Sequence, residues 1–177
     1  MVDYAIAVFD VGKTNKKLLI YDHQLRLVDS VYKSFPVQEE GGIEIEPLEE
    51  IELWLLQNLR EFGEKYPIRV ISVTTHGASF VCLGEDGEPS TPMVSYTHEP
   101  GEEFHRRFYE LVGEPEELQR TTATLKLGAL INPAKGILFT KETYPEAFAR
   151  TRQILFFPQY WGFRMTGESA ADYTYVG

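Results

Sequence analysis

Tyr4-Ala-Ile-Ala-Val-Phe-Asp-Val-Gly-Lys-Thr-Asn-Lys-Lys-Leu-Leu-Ile-Tyr21 is the stretch that decides how this chain begins to fold. Tyr4–Phe9 is an unbroken apolar run, the pattern of a strand covered on both faces. Asp10-Val-Gly-Lys-Thr-Asn15 then reads as a turn, and Lys17–Tyr21 as a second strand. Asp22-His-Gln turns the chain again into Leu25–Tyr32, where Leu25, Leu27, Val28 and Val31 alternate with polar residues. Three strands joined by tight turns make an antiparallel meander. A doubly wound fold, which places a helix directly after its first strand, is opposed from the start.

Beyond the meander, Pro36–Ile45 reads as a loop leading into a helix over 47–62. Pro47 takes a first helical position, Glu49 and Glu50 lie in the positive first turn, and Leu48, Ile51, Leu55, Leu59 and Phe62 share a face. Gly63 and Pro67 are expected to end it. Ile68–Thr75 reads as a parallel, buried strand because a helical crossover precedes it. Phe80–Leu83 and Pro92–Tyr96 flank Glu85-Asp-Gly-Glu88, a hairpin signal. From Glu99 the pattern is helical, with Phe104, Phe108 and Leu111 as a stripe ending at Gly113. Glu114–Arg120, Gly136–Lys141 and Pro158–Thr166 read as further helices, and Gln153–Phe157 as a short extended segment. The chain stops at Tyr173-Thr-Tyr-Val-Gly177 without a capped helix, which reads as a fragment.

Composition narrows the function. The 177 residues carry 17 Lys+Arg against 27 Asp+Glu, a formal charge of −10. That balance opposes duplex nucleic acid as a partner, since phosphate backbones need clustered cations. The apolar share of 43 % suits a globular core. The one cysteine, Cys82, excludes an internal disulfide and a cysteine-based zinc cluster. No basic leader with an apolar core opens the chain, and no run of 18 apolar residues spans a membrane. A reduced cytoplasmic setting is the expectation.

The sharpest chemical signal is again Asp10–Asn15. A carboxylate at a buried strand end, then Gly12, then Lys13, Thr14 and Asn15, builds a turn whose backbone N–H groups can cradle phosphate. Asp10 would hold magnesium through water, because that cation keeps its waters and takes one or two carboxylates. An ordinary hairpin turn with solvated Lys13 and Asn15 is the plainer alternative. Gly12-Lys13-Thr14 also mimics the end of a P-loop. That motif needs a glycine where Ala7 stands and a helix where Lys17–Tyr21 is strand-like, so it fails twice. His76-Gly77 follows a strand end, where open α/β sheets take ligands. A neutral His76 could donate to a sugar hydroxyl, or simply pack. Tyr96 and His98 end the next hairpin, and His98 and His105 lack the spacing of a metal pair. Asp172 resembles a cap more than a catalytic group, Trp54 and Trp161 are expected in the core, and Glu44–Glu52 reads as a solvated acidic face.

These segments together resemble the N-terminal domain of the FGGY carbohydrate kinases, of the actin-like, ribonuclease-H-like superfamily. Asp10–Asn15 is similar to the family's phosphate loop, and Ile71–Leu83 with Asp86–Pro89 to its sugar-contacting strand, loop and hairpin. Pro133–Arg152, above all Pro145-Glu-Ala-Phe-Ala-Arg150, resembles the Lys-Leu-x-Trp-Leu-Lys and Pro-Glu-x-Phe segment. Leu155–Tyr173 resembles the Leu-Leu-Pro-x-Asp-Tyr, Leu-Thr-Gly-Glu and Thr-Asp-Tyr run. The family has Thr or Ser where Lys13 stands, Trp at Tyr96, and Asp at His98 and Gln159.

The resemblance implies an α/β, ribonuclease-H-like domain: the meander, then parallel strands with helical crossovers. It implies an ATP-dependent kinase acting with Mg2+ on a sugar or sugar-derived polyol. Asp10 would be the catalytic, metal-holding carboxylate, with Gly12, Lys13, Thr14 and Asn15 on the phosphates. His76, Gly77, Tyr96 and Asn132 would approach the sugar. The family's catalytic base lies in a later Gly-Asp segment and adenine binds a second, C-terminal lobe, so the 177 residues alone are expected to be inactive. A homodimer is compatible with this reading. The rivals are a phosphatase-type member of the superfamily and a non-catalytic sugar-binding module.

Overall fold

A computed structural model describes residues 3–172. The chain end at Tyr173–Gly177 therefore lies outside the described residues. The meander is present: β1 (Ala5–Val11), β2 (Asn15–Asp22) and β3 (Leu27–Ser34) pair antiparallel, with Ala7 opposite Ile20 and Ile20 opposite Asp29. The Asp22 carboxylate organises the second turn. It accepts from the N–H groups of Gln24 (2.9 Å) and Arg26 (3.0 Å), and it pairs with the Arg26 guanidinium at 2.7 Å. Those bonds, led by the one from the Arg26 backbone, hold its carboxyl below the usual range.

Pro36–Ile45 is not a plain loop. Gly41 and Gly42 adopt φ of 58° and 83°, and this left-handed pair closes a hairpin of β4 (Gln38–Glu40) and β5 (Ile43–Ile45). Helix α1 (Leu48–Lys65) follows, with Pro47 just before its first turn. Leu48, Ile51, Leu55 and Phe62 are buried as expected. Gly63 does not end the helix, which runs on for two residues to the extended Tyr66. An added methyl at Gly63 would meet nothing, so its place there is a matter of tolerance and not of geometry.

β6 (Ile68–Thr75) is parallel to β1, giving the order β3-β2-β1-β6. Its expected burial is overturned. It is the sheet's edge strand, with Val70 46 % and Ile71 43 % exposed. The helix α6 (Phe157–Thr166), closed by Gly167 at φ 75°, returns to this part of the molecule. Trp161 is fully buried and stands edge-on to Phe9 at 5.1 Å, while Trp54 lies 6.4 Å from the same ring. This first unit comprises 1–38, 46–77 and 156–177.

The second unit comprises 39–45 and 78–155. The Asp86-Gly87 turn forms, with Gly87 at φ 78° and the Gly84 N–H donating to the Glu88 carbonyl (2.8 Å). The returning arm is only an isolated bridge between Leu83 and Pro89. β7 (Phe80–Leu83) pairs instead with β8 (Gln153–Phe156), and Val94 bridges to Ile45. Helices α2 (Glu102–Val112), α3 (Pro115–Thr122), α4 (Pro133–Thr143) and α5 (Pro145–Ala149) complete it. Phe104 and Phe108 are buried, whereas Leu111 is 70 % exposed, so the stripe stops one turn before the helix does.

Candidate functional site

The parallel register of β1 and β6 pairs Asp10 with Thr74 and Val11 with Thr75, so both strands end together. The His76 N–H donates to the Val11 carbonyl at 3.0 Å, extending that pairing one step. The turn after β1 and the imidazole after β6 thus emerge side by side at the carboxyl ends of two parallel strands. Gly12 is needed at this turn because a Cβ there would stand 2.9 Å from the Asn15 carbonyl oxygen.

The turn is held by charges. On β2 the alternation that buries Leu18 and Ile20 also carries Lys16 inward, fully buried. Its ammonium donates to the Lys13 carbonyl (3.0 Å) and lies 3.9 Å from Glu46, itself only 3 % exposed. Lys13 also pairs with Glu46. Burial lowers the Lys16 pKa, Glu46 opposes that shift and Lys13 adds to it. On the outward face, Lys17 pairs with Asp10 at 3.2 Å. Three ammonium groups therefore face two carboxylates, an excess of positive charge suited to a polyphosphate. A single carboxylate at a strand end also suits magnesium, which keeps water and shares phosphate oxygens.

His76 packs against Phe157 at 5.2 Å, and its Nδ1 lies 3.2 Å from the Gly77 carbonyl. Burial pushes its pKa down; the Gly77 carbonyl and Glu46 oppose the shift, and Lys16 and Lys13 add to it. With the Gly77 carbonyl as acceptor, the ring nitrogen that donates in this contact is Nδ1.

The other expected residues have humbler positions. Thr14 is exposed, and Asn15 is tied by its Oδ1 to the Ser34 hydroxyl at 2.6 Å. Tyr96 and Asn132 belong to the second unit. The Tyr96 carbonyl accepts from the Leu130 N–H (3.1 Å), and Asn132 caps α4 by accepting from the Ala134 N–H (2.9 Å). His98 lies against Phe139 at 5.0 Å.

The acidic face of Glu44–Glu52 is not solvated throughout. Glu46 is buried, Glu44 accepts from the Thr97 hydroxyl, and Glu52 binds Arg164 at 2.7 Å and the Tyr160 hydroxyl at 3.1 Å. Sequence reasoning missed Lys16 and Glu46. The signals were there: Lys16 is in phase with Leu18 and Ile20, and Glu46 sits between Ile45 and the Pro47-Leu48 helix start.

Among the described residues no three His, Cys, Asp or Glu side chains gather as a metal cage, and no helix is long and apolar enough to cross a membrane. No curated protein matches this chain in sequence. Solved structures do match in fold. A carbohydrate kinase from Novosphingobium aromaticivorans superposes with a TM-score of 0.87 at 23 % identity, over 99 % of this chain and 36 % of that one. Gluconate kinase from Lactobacillus acidophilus gives 0.77 at 23 %, over 97 % and 35 %. A ligand-bound xylulose kinase from the same organism gives 0.76 at 23 %, over 97 % and 35 %. The chain spans about a third of the length of these proteins. The N-terminal domain of the FGGY family of carbohydrate kinases matches residues 5–177, and the chain belongs to that family.

Proposed function

We propose that this chain is the sugar-binding lobe of an ATP-dependent carbohydrate kinase, in which a γ-phosphoryl group passes to a hydroxyl of a sugar or sugar-derived polyol. One arrangement carries the reading: the Asp10–Asn15 turn and His76 leave adjacent parallel strands at their carboxyl ends, where open α/β sheets take ligands. Asp10 is the catalytic carboxylate and would hold magnesium, exchanging its contact with Lys17. Gly12, Lys13, Thr14 and Asn15 would line the phosphates. Mg-ATP, when bound, supplies the electrophilic phosphorus and part of the charge neutralisation. Lys13 must leave Glu46 to reach a phosphate, while Lys16 stays beneath and fixes the turn through the Lys13 carbonyl. His76 and Gly77 would approach the sugar from the end of β6. Tyr96 and Asn132 are the sugar contacts assigned to the second unit, Asn132 through the amide nitrogen its cap leaves over. A second lobe supplies the base and the adenine site, so these 177 residues alone should not turn over. A reduced, cytoplasmic setting agrees with the buried free thiol of Cys82.

Steady-state kinetics on the intact protein test the assignment. Asp10→Asn should lower kcat by roughly 10²-fold or more while sugar binding changes little, because the charge acts most as the phosphoryl group moves. His76→Ala should raise KM for sugar and leave KM for ATP nearly unchanged. Wild-type kcat in folded Asp10→Asn removes the phosphate-loop assignment. Release of free phosphate without a sugar phosphate would point to a hydrolase, and saturable sugar binding without turnover to a non-catalytic module.

A further inference from the structure

The second unit contains a cleft of about 740 Å³ between α2, the start of α3 and the segment 126–128, with Lys135 of α4 in its wall. Nothing in the proposed kinase reaction uses it. Its basic side chains differ in how they are satisfied. Arg106 is paired with Glu110 at 2.6 Å, and His105 with Glu99 at 2.7 Å. Lys126 and Lys135 have no carboxylate within ion-pair distance among the described residues. Lys135 is 1 % exposed, and its ammonium makes a single hydrogen bond, to the Leu127 carbonyl at 2.6 Å. Rings flank the ammonium: the Nζ lies 5.0 Å from the Tyr109 centroid and 5.8 Å from that of Phe108. Lys126 Nζ approaches the same Tyr109 ring at 5.7 Å. The Tyr109 hydroxyl has no hydrogen-bond partner among the described residues.

A buried ammonium normally needs a full set of partners, and a cation–π contact replaces only part of what water gave. Here two ammonium groups and a phenol converge on one cleft with hydrogen-bonding capacity left over. We propose that this cleft binds a small phosphate-bearing anion, held between Lys126 and Lys135 with the Tyr109 hydroxyl as a further donor. Two ammonium groups match the charge of a phosphate dianion, and the carboxylates that share the lining (Glu102, Glu110 and Glu114) disfavour larger polyanions. Burial lowers the Lys135 pKa, with Glu99 opposing and Lys126 adding to the shift, so an incoming anion would also stabilise its charged form.

The test uses intact protein labelled with 3-fluorotyrosine, the Tyr109 19F resonance being assigned with Tyr109→Phe. Inorganic phosphate and glycerol 2-phosphate are titrated separately, with neutral glycerol as control; the first two arms distinguish free phosphate from a phosphate ester. The Tyr109 resonance should shift saturably with at least one phosphate and not with glycerol. Lys126→Met, at an exposed position that does not endanger folding, should weaken that binding by roughly tenfold or more, and Lys126→Arg should restore it. Lys13→Met, in the other unit, should leave it unchanged. A resonance that does not move, or that moves equally in Lys126→Met, overturns the proposal, including the case in which Lys135 merely clips Leu127 to α4.

Discussion

Replacing Glu46 by glutamine keeps the side chain's shape and removes one charge from a cluster in which Lys16 is buried and Lys13 partly exposed. Lys16 would then lie inside the domain without its counter-charge, and Lys13 would lose its pair. Breaking a buried pair costs several kcal/mol because a desolvated charge is stranded, whereas an exposed pair costs little. Glu46→Gln should therefore lower stability by about 3 kcal/mol, seen as a reduced urea midpoint at unchanged m. Glu49→Gln, exposed in the first turn of α1, should cost no more than about 0.5 kcal/mol. Equal midpoints for the two variants would mean that Glu46 does not hold the turn.

His76 makes a separate prediction in pH. Its folded-state pKa is lowered, chiefly by burial, so the unfolded chain binds a proton more readily. Between the lowered folded value and the ordinary value near 6.5, the unfolded state carries more protons, and stability must rise with pH across that window. Above the window the contribution is complete; below it the penalty is full and the slope vanishes. His76→Asn should flatten this part of the stability curve. An unchanged slope in the variant would assign the pH dependence to other groups.

At the scale of elements, the same substitution should act with opposite signs at two helical glycines. In α1 an added methyl at Gly63 meets nothing, so Gly63→Ala should stabilise by up to about 1 kcal/mol through helix propensity. In α4 a methyl at Gly136 would stand 2.8 Å from the Phe80 ring, and Gly136→Ala should destabilise by about 1–3 kcal/mol despite the same propensity gain. Thermal melts of the pair decide it; a shared sign would show that propensity or packing alone governs both. This contrast also marks what the sequence could tell. Apolar runs, turn residues and the face of α1 were readable because they depend on near neighbours in the chain. Gly63 was misjudged as a helix end because a lone glycine breaks a helix only when its surroundings allow. The second arm after Asp86-Gly87 was misjudged because β7 took its partner from some seventy residues away, at β8. Asp10 and His76 were legible as strand-end residues. Lys16 and Glu46 were hidden because a charged residue reads as solvated until a partner from a distant segment is found.

For the molecule as a whole, the open side of β6 is the feature with the widest consequence. β1 occupies one side of this strand, and among the described residues no strand pairs with the other. Val70 and Ile71 project to opposite faces and both remain more than two-fifths exposed. A free edge of this kind, apolar on both faces, is a template for a further strand. Expressed as these 177 residues, the chain should self-associate through it, with a second copy as the added strand. The formal charge of −10 opposes that contact by repulsion between copies. Salt shortens the reach of this repulsion to about 10 Å at 0.1 M and less beyond, while leaving backbone pairing intact. Association should therefore increase with salt, unlike contacts held by opposite charges, which salt weakens. Sedimentation velocity over a series of salt and protein concentrations reads this directly. Val70→Lys puts a charge on the edge without touching the β1 pairing and should return the chain to monomer at every salt concentration. A wild-type chain that stays monomeric in high salt, or a Val70→Lys variant that associates as strongly as wild type, would show that the exposed side of β6 is not the adhesive surface.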